Sequence, residues 1–246
     1  MPHRGVLFGG TELPAEGPGY VFLRDDDRHH ATPRFAAALS RAAALVAIAR
    51  PGATLVLGDM STASGGRLLP HLSHRSGRDA DLVLYAMTPD GAPVVSPGFI
   101  HYGEDALAWD PKGKRYLRFD VEREWLLVRA LLEDPDARVQ WMFANHNVES
   151  LLVEWAIARG EPSDIVWRAQ QVMLEPRPGG AHDDHLHVRT ACDAGEIARG
   201  CEPSGPARPW LPVGAARPAP DDEALVLELL RPIAADAQVG PLAGGS

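Results

Sequence analysis

The sequence predicts an α+β protein in which a small, mainly antiparallel sheet carries a cluster of histidines and helices pack against that sheet. Three observations lead there. Several segments repeat apolar residues at helical spacing. Short apolar runs, bounded by Gly, Pro and Asp, read as strands. Five of the ten histidines fall in two short segments, HLSHRSGRDAD at 71–81 and HDDHLH at 182–187. The first stands just before a predicted strand and the second leads into one, so both can deliver side chains to one edge of a sheet.

In chain order, residues 1–33 are rich in Gly, Pro and charge, with one apolar run at 20–23 that reads as an edge strand. The polar run DDDRHH at 25–30 reads as loop. A helix follows over 33–50, with Phe35, Leu39, Ala42, Ala43 and Val46 on one face. Thr32 is its N-cap candidate, Pro33 suits its first position, and Pro51-Gly52 ends it. A short strand at 54–57 and a Ser/Gly-rich loop lead to DLVLYAM at 81–87, apolar enough for a central strand. Residues 88–97 are turn-rich, and 98–119 show no clear period apart from a turn at 110–113. Further helices are expected at 121–132, 149–159, 165–173 and 221–230, and strands at Val139–Phe143 and His185–Thr190. Six prolines between 203 and 220 argue against regular structure there. The organisation expected is one domain over 1–205, followed at 206–246 by a Pro-rich extension with a short helix.

At 246 residues and 45% hydrophobic, the chain can bury a sizeable core, and Trp125 and Trp141 are expected in it. A net charge of −9 argues against a nucleic-acid partner. No apolar run is long enough to cross a membrane. The first ten residues lack the basic start and long apolar run of a secretory signal. Cys192 and Cys201 stand nine apart, and spacing alone leaves open two thiols or one local disulfide.

The chemistry lies in the two histidine segments. Alternate residues of a strand share a face, so His185 and His187 point the same way and Leu186 points into the core. Asp81 is expected to open its strand, with His74 in the loop before it. Gly77 supplies a tight turn between them, with positive φ. Two imidazoles and one carboxylate make the open three-ligand site of a catalytic zinc, with water in the fourth position. A single His-x-His is a weak signal, and solvated loops are the bland alternative for each segment. The combination with the HxxGxxxD pattern of His74, Gly77 and Asp81 carries the argument.

The stretch GDM…SGGRLLPHLSHRSGRDADL resembles the penicillin-insensitive murein endopeptidases, zinc peptidases grouped with lysostaphin, the D-Ala-D-Ala peptidases and hedgehog domains. HDDHLHVR and the FAN of Phe143–Asn145 match too, in the family's order, so the resemblance covers roughly residues 10–205. It implies a hedgehog/D-Ala-D-Ala peptidase-like fold and one zinc ion held by His74, Asp81 and His187. It makes His185 the base or transition-state stabiliser and leaves His71 and His182 as further active-site histidines. It implies a Cys192–Cys201 disulfide, a periplasmic setting, and cleavage of the D-alanyl–meso-diaminopimelate cross-link between peptidoglycan stem peptides. The family's auxiliary metal pair lacks its histidine in the stretch 110–115, so one ion is expected; His101 would stand in only if the loop folded differently. Alternatives on the same site are a D,D- or L,D-carboxypeptidase and a non-catalytic zinc- or wall-binding domain.

Other residues are weighed against plainer roles. Arg67, in the Gly-rich loop, suits a substrate carboxylate but also a plain surface. Asn145 is a groove-lining candidate because it lies in the matched stretch. Asp59 is either a partner for a histidine or a strand terminator. Asp183 and Asp184 are expected mainly in solvent, with one of them a candidate to hold an imidazole tautomer, and His3, His29 and His30 are read as solvated.

Overall fold

The computed structural model describes residues 5–52, 54–69, 71–176, 182–198, 201, 203 and 205–211. The helix expected at 221–230, the rest of the Pro-rich extension beyond 211, and His3 lie outside the described residues. The strands, in order, are β1 (Thr11–Glu12), β2 (Glu16–Gly17), β3 (Tyr20–Phe22), β4 (His30–Ala31), β5 (Leu55–Leu57), β6 (Asp79–Val83), β7 (Ala86–Met87), β8 (Pro93–Val94), β9 (Leu107–Asp110), β10 (Arg115–Phe119), β11 (Val139–Phe143), β12 (Met173–Leu174) and β13 (His185–Thr190). The helices are α1 (Pro33–Ala49), α2 (Val121–Glu133), α3 (His146–Ala158), α4 (Ser163–Val172) and α5 (Ala194–Ala198).

A seven-stranded sheet, ordered β12-β11-β13-β6-β5-β3-β2, runs through the molecule. Only its β11–β12 and β3–β5 joints are parallel. A four-stranded antiparallel sheet, β8-β7-β10-β9, lies beside it, and β1 pairs with β4. The α+β class is therefore as the sequence predicts.

The register of the two middle strands decides what each face carries. β13 runs antiparallel to β6 with His187 opposite Asp81 and Arg189 opposite Asp79. β11 places Phe143 opposite His187 and Trp141 opposite Arg189 on the other side. Because side chains alternate, Asp79, Asp81, His185, His187 and Arg189 share one face with Trp141 and Phe143. Ala80, Leu82, Met142, Leu186 and Val188 point the other way, all fully buried in the main core. That core includes Phe35 and Leu39 of α1, Trp125 and Leu131 of α2, Leu152 of α3 and Ile165 of α4. Burying a side chain such as Leu186 is worth about 1.5–3 kcal/mol. Helix packing thus fixes one face of the sheet, and the polar residues of the other face inherit that rigidity.

Thr32 is at the N-cap of α1 and Pro33 in its first turn, though the Thr32 side chain makes no capping bond. Asp120 caps α2 by accepting from the Arg123 amide, and Asn145 caps α3 by accepting from the Asn147 amide. That second cap starts α3 at His146, ahead of the position expected from apolar period.

Three expectations need correction, and one stretch without a clear period takes form. The run at 20–23 is not an edge strand, because β2 covers it; two residues were too few to show in the pattern. The run at 81–87 is not one strand. β6 begins at Asp79 and ends at Val83, and the chain then crosses to the second sheet as β7. Leu84 and Tyr85 between them are buried too, so the apolar run is unbroken although the strand is not. The region 98–119 contains a hairpin, β9 and β10, around the Asp110 turn. His29 is buried rather than solvated: its ring stacks on Phe22 at 3.6 Å, and Nε2 lies 2.8 Å from the Arg24 carbonyl.

Candidate metal centre

On the polar face, Asp81 is the hub. It is the third residue of β6, not the first, and is almost fully buried. Its Oδ1 lies 3.1 Å from His187 Nδ1, 3.2 Å from His74 Nε2 and 3.5 Å from His185 Nε2. His71 Nδ1 stands 3.9 Å from its Oδ2. The rings form one continuous group: His71 and His74 centroids are 4.4 Å apart, His74 and His187 4.7 Å, and His182 and His185 4.9 Å. The segments HLSHRSGRDAD and HDDHLH thus converge, although a hundred residues separate them in sequence.

The far nitrogens of three of these imidazoles are held by carboxylates. His187 Nε2 bonds Asp79 Oδ1 at 2.9 Å, His71 Nε2 bonds Asp59 Oδ2 at 2.7 Å, and His185 Nδ1 bonds Asp184 Oδ1 at 2.5 Å. An ionised carboxylate only accepts, so each of those nitrogens carries the proton. The near nitrogens then present lone pairs toward Asp81. Lone pairs of His187 and His185 facing Oδ1, and of His71 facing Oδ2, repel that anionic carboxylate unless a cation lies among them. His74 states the need most plainly: it is fully buried, and neither ring nitrogen makes a hydrogen bond. Asp81 Oδ1 is likewise buried and unbonded. Orphaned buried polar atoms of this kind are costly, and a divalent ion would satisfy them together. The residues therefore fit a metal, with carboxylates behind the imidazoles as metal sites require.

Burial would raise the Asp81 carboxyl, but His74, His185 and His187 hold it well below the usual carboxylate range. Asp79 is likewise held low against burial, by Arg189 and His187. Burial would lower His185, yet Asp81 and Asp184 push it up.

The loop geometry that delivers these groups is local. His74 has φ +62° and His182 has φ +46°, a conformation that costs an L residue about 1–2 kcal/mol. Ser61 Oγ donates to the His74 carbonyl at 2.8 Å, and the Asn145 amide donates to the His182 carbonyl at 2.8 Å. Gly77 adopts φ +68° between His74 and Asp81, as its place in the motif suggested. Its carbonyl accepts from the Thr32 amide, which ties the turn to the start of α1.

The remaining candidates fall in different places. Asn145 caps α3 and lines an open cleft of about 690 Å³ with Tyr102, Glu104 and Asp183. Arg67 is exposed, and no hydrogen bond or ion pair among the described residues joins it to the cluster. Cys192 and Cys201 form a disulfide. Asp110 spends its carboxylate on the Lys112 and Gly113 amides of its own turn. Exposed His101 instead meets Asp183 at 2.7 Å, and with Asp184 these form a second group of donors close enough to share an ion. Asp184, expected in solvent, is part of the site.

Asp79 and Arg24 were missed. Asp79 carried a signal, since Asp79 and Asp81 alternate as His185, His187 and Arg189 do. Arg24, whose guanidinium pairs with the Asp59 carboxylate, stands between the apolar run at 20–23 and the polar run at 25–30 and gave none.

A sheet face with a buried histidine–carboxylate cluster, three of its imidazoles backed by acids, defines a candidate metal-dependent enzyme. Comparison with known proteins narrows the class. Residues 1–98 match the family model of the penicillin-insensitive murein endopeptidases, a span that includes His71, His74 and Asp81. A penicillin-insensitive murein endopeptidase of Haemophilus influenzae is 29% identical over 82% of this chain and 65% of its own length. One from Klebsiella pneumoniae is 26% identical over 86% of this chain and 71% of its own, and one from Yersinia pestis 28% identical over 78% and 65%. This chain is similar to the penicillin-insensitive murein endopeptidases over these spans, and it covers 65% of the length of the Haemophilus relative.

Proposed function

We propose that the chain is a zinc metallo-endopeptidase that hydrolyses D-alanyl–meso-diaminopimelate cross-links in bacterial peptidoglycan, acting in the periplasm. The observation that carries this reading is the convergence of three near imidazole nitrogens on Asp81 Oδ1, with His74 left without any other partner. His74, Asp81 and His187 would hold the ion. When bound, zinc supplies Lewis-acid polarisation of a carbonyl and lowers the pKa of water toward neutrality.

The protein's own residues do the rest. Asp79 keeps the His187 proton on Nε2, so Nδ1 is the free donor atom, and Arg189 fixes Asp79 through a 2.6 Å bond. Asp184 does the same for His185 and leaves Nε2 facing the site. A neutral His185 takes a proton at that atom; once protonated, it donates there to the developing oxyanion or to the leaving amine. His182, packed beside His185, closes that side of the site. His71, backed by Asp59, places a second proton-accepting nitrogen on the opposite side. No helix among the described residues is long and apolar enough to cross a membrane.

The test is digestion of purified sacculi with zinc-loaded protein, with and without chelator, followed by muropeptide chromatography. Loss of cross-linked dimers only without chelator supports the reading. Shortened monomers with dimers intact would indicate a carboxypeptidase, and an unchanged profile a binding domain.

A further inference from the structure

Next to the histidine cluster a cleft of about 430 Å³ opens between the end of β3 and the segment joining β8 to β9, lined by Leu23, Arg24, Phe99, Ile100 and Lys112 among others. Its charged walls are positive in a chain whose net charge is −9. Lys112 is exposed there, and the one carboxylate that lines it, Asp110, is engaged by its own turn and by Arg115 at 3.5 Å. Arg24 is anchored but not consumed. Its Nη1 pairs with Asp59, its guanidinium lies 5.8 Å over the Phe99 ring, and 44% of its side chain is exposed. A guanidinium fixed on one edge by a buried acid and on its face by an aromatic ring presents its remaining N–H groups in a set direction.

The cleft is joined directly to the metal centre. Phe99 meets the His185 ring edge-on at 5.3 Å. Gly58 makes room for that ring: a Cβ there would stand 2.6 Å from Phe99 Cζ and 3.1 Å from Asp81 Cβ. Asp59, which Arg24 engages, is the acid that holds His71. The positive charge is one-sided, because the cleft beyond the same segment carries Glu104 and Asp183 instead.

We propose that Arg24, assisted by Lys112, forms a carboxylate-binding subsite for the leaving-group side of the scissile amide. The inference rests on the endopeptidase reading above. In a D-alanyl–diaminopimelate link, the carbon that bears the amide nitrogen also bears a free carboxylate. A substrate bound with its scissile carbonyl at the histidines and its leaving group toward Phe99 brings that carboxylate to Arg24. The subsite would select cross-links whose carboxylate is free over those in which it is amidated.

The experiment uses zinc-loaded protein and two cross-linked peptide dimers that differ only in whether that carboxylate is free or a carboxamide. Wild type is expected to prefer the free acid by about tenfold or more in kcat/KM. Arg24→Gln should lose most of that preference, chiefly through KM on the free acid, with zinc content unchanged. Lys112→Gln, at the far wall of the cleft, should lose part of it through KM on the free acid, with zinc content unchanged. If Arg24→Gln proves inactive on both dimers, the ratio in Lys112→Gln decides. Full preference in the active variants, or equal cleavage of both dimers by wild type, overturns the subsite and leaves the endopeptidase reading standing. Cleavage of neither dimer by wild type overturns both.

Discussion

Replacing Asp79 by Asn tests how far the site depends on the residues behind it. Asp79 is fully buried, and one oxygen accepts from both Arg189 Nε at 2.6 Å and His187 Nε2 at 2.9 Å. Arg189 is itself only 2% exposed. Removing the charge leaves a buried guanidinium without its counter-ion, which costs about 3 kcal/mol, the lower end of the range for breaking such pairs because Asn keeps an acceptor. It also removes the acid that fixes the His187 tautomer, and losses of this kind weaken metal affinity by about 10–100-fold. The two effects are read separately, by urea denaturation of the metal-free protein and by competition for zinc against a chromophoric chelator. A variant as stable as wild type that also binds zinc as tightly would refute the reasoning from second-layer carboxylates.

Three further outcomes are expected. His185→Ala should keep its zinc and lose about 10²–10⁴ in kcat, the usual range for a positioned acid–base group, whereas His187→Ala should lose zinc and activity together; metal analysis beside dimer cleavage rates checks both, and cleavage by metal-free His187→Ala would contradict the ligand assignment. Burial pushes the Glu124 carboxyl, which accepts the Tyr85 amide at 2.9 Å, up to about 8 from 4.5. Since the folded pKa is raised, this group's stabilising contribution is complete below pH 4.5 and is lost as pH rises to about 8, for a total near 5 kcal/mol at 1.36 kcal/mol per unit. Glu124→Gln keeps the acceptor and cannot ionise, so its stability relative to wild type should grow across that window in urea titrations; a constant difference would rule the linkage out. Zinc should also raise the melting temperature of wild type but not of His74→Ala, since only an intact site binds the folded state preferentially.

The parts of the molecule most legible in the sequence are those whose pattern is local and repeated. α1, β11 and β13 follow from apolar period and flanking turns, and the alternation His185-Leu186-His187 already assigned two residues to the site and one to the core. The HxxGxxxD spacing placed His74 and Asp81 together because a turn at Gly77 and a strand leave few other arrangements. What was hidden depends on partners far away in the chain. β2 is a strand only because β3 lies beside it. The break between β6 and β7 cannot be seen in an apolar run, since Leu84 and Tyr85 are as buried as the strands they join. Asp59 and Asp184 stood out only as candidates and Asp79 only by alternating with Asp81; the register of β6 on β13 and the folding of the two loops decide which imidazole each one backs. Arg24 carried no pattern at all, and its relevance comes entirely from Asp59 and Phe99.

Zinc stoichiometry tests the metal centre most directly. Wild-type protein, stripped of metal and then equilibrated with a small excess of zinc and desalted, should carry one ion per chain by elemental analysis, and the same treatment should leave His74→Ala and Asp81→Ala essentially empty. Zinc bound equally by those variants, or not bound by wild type, would contradict the claim that the orphaned atoms around Asp81 form a metal centre.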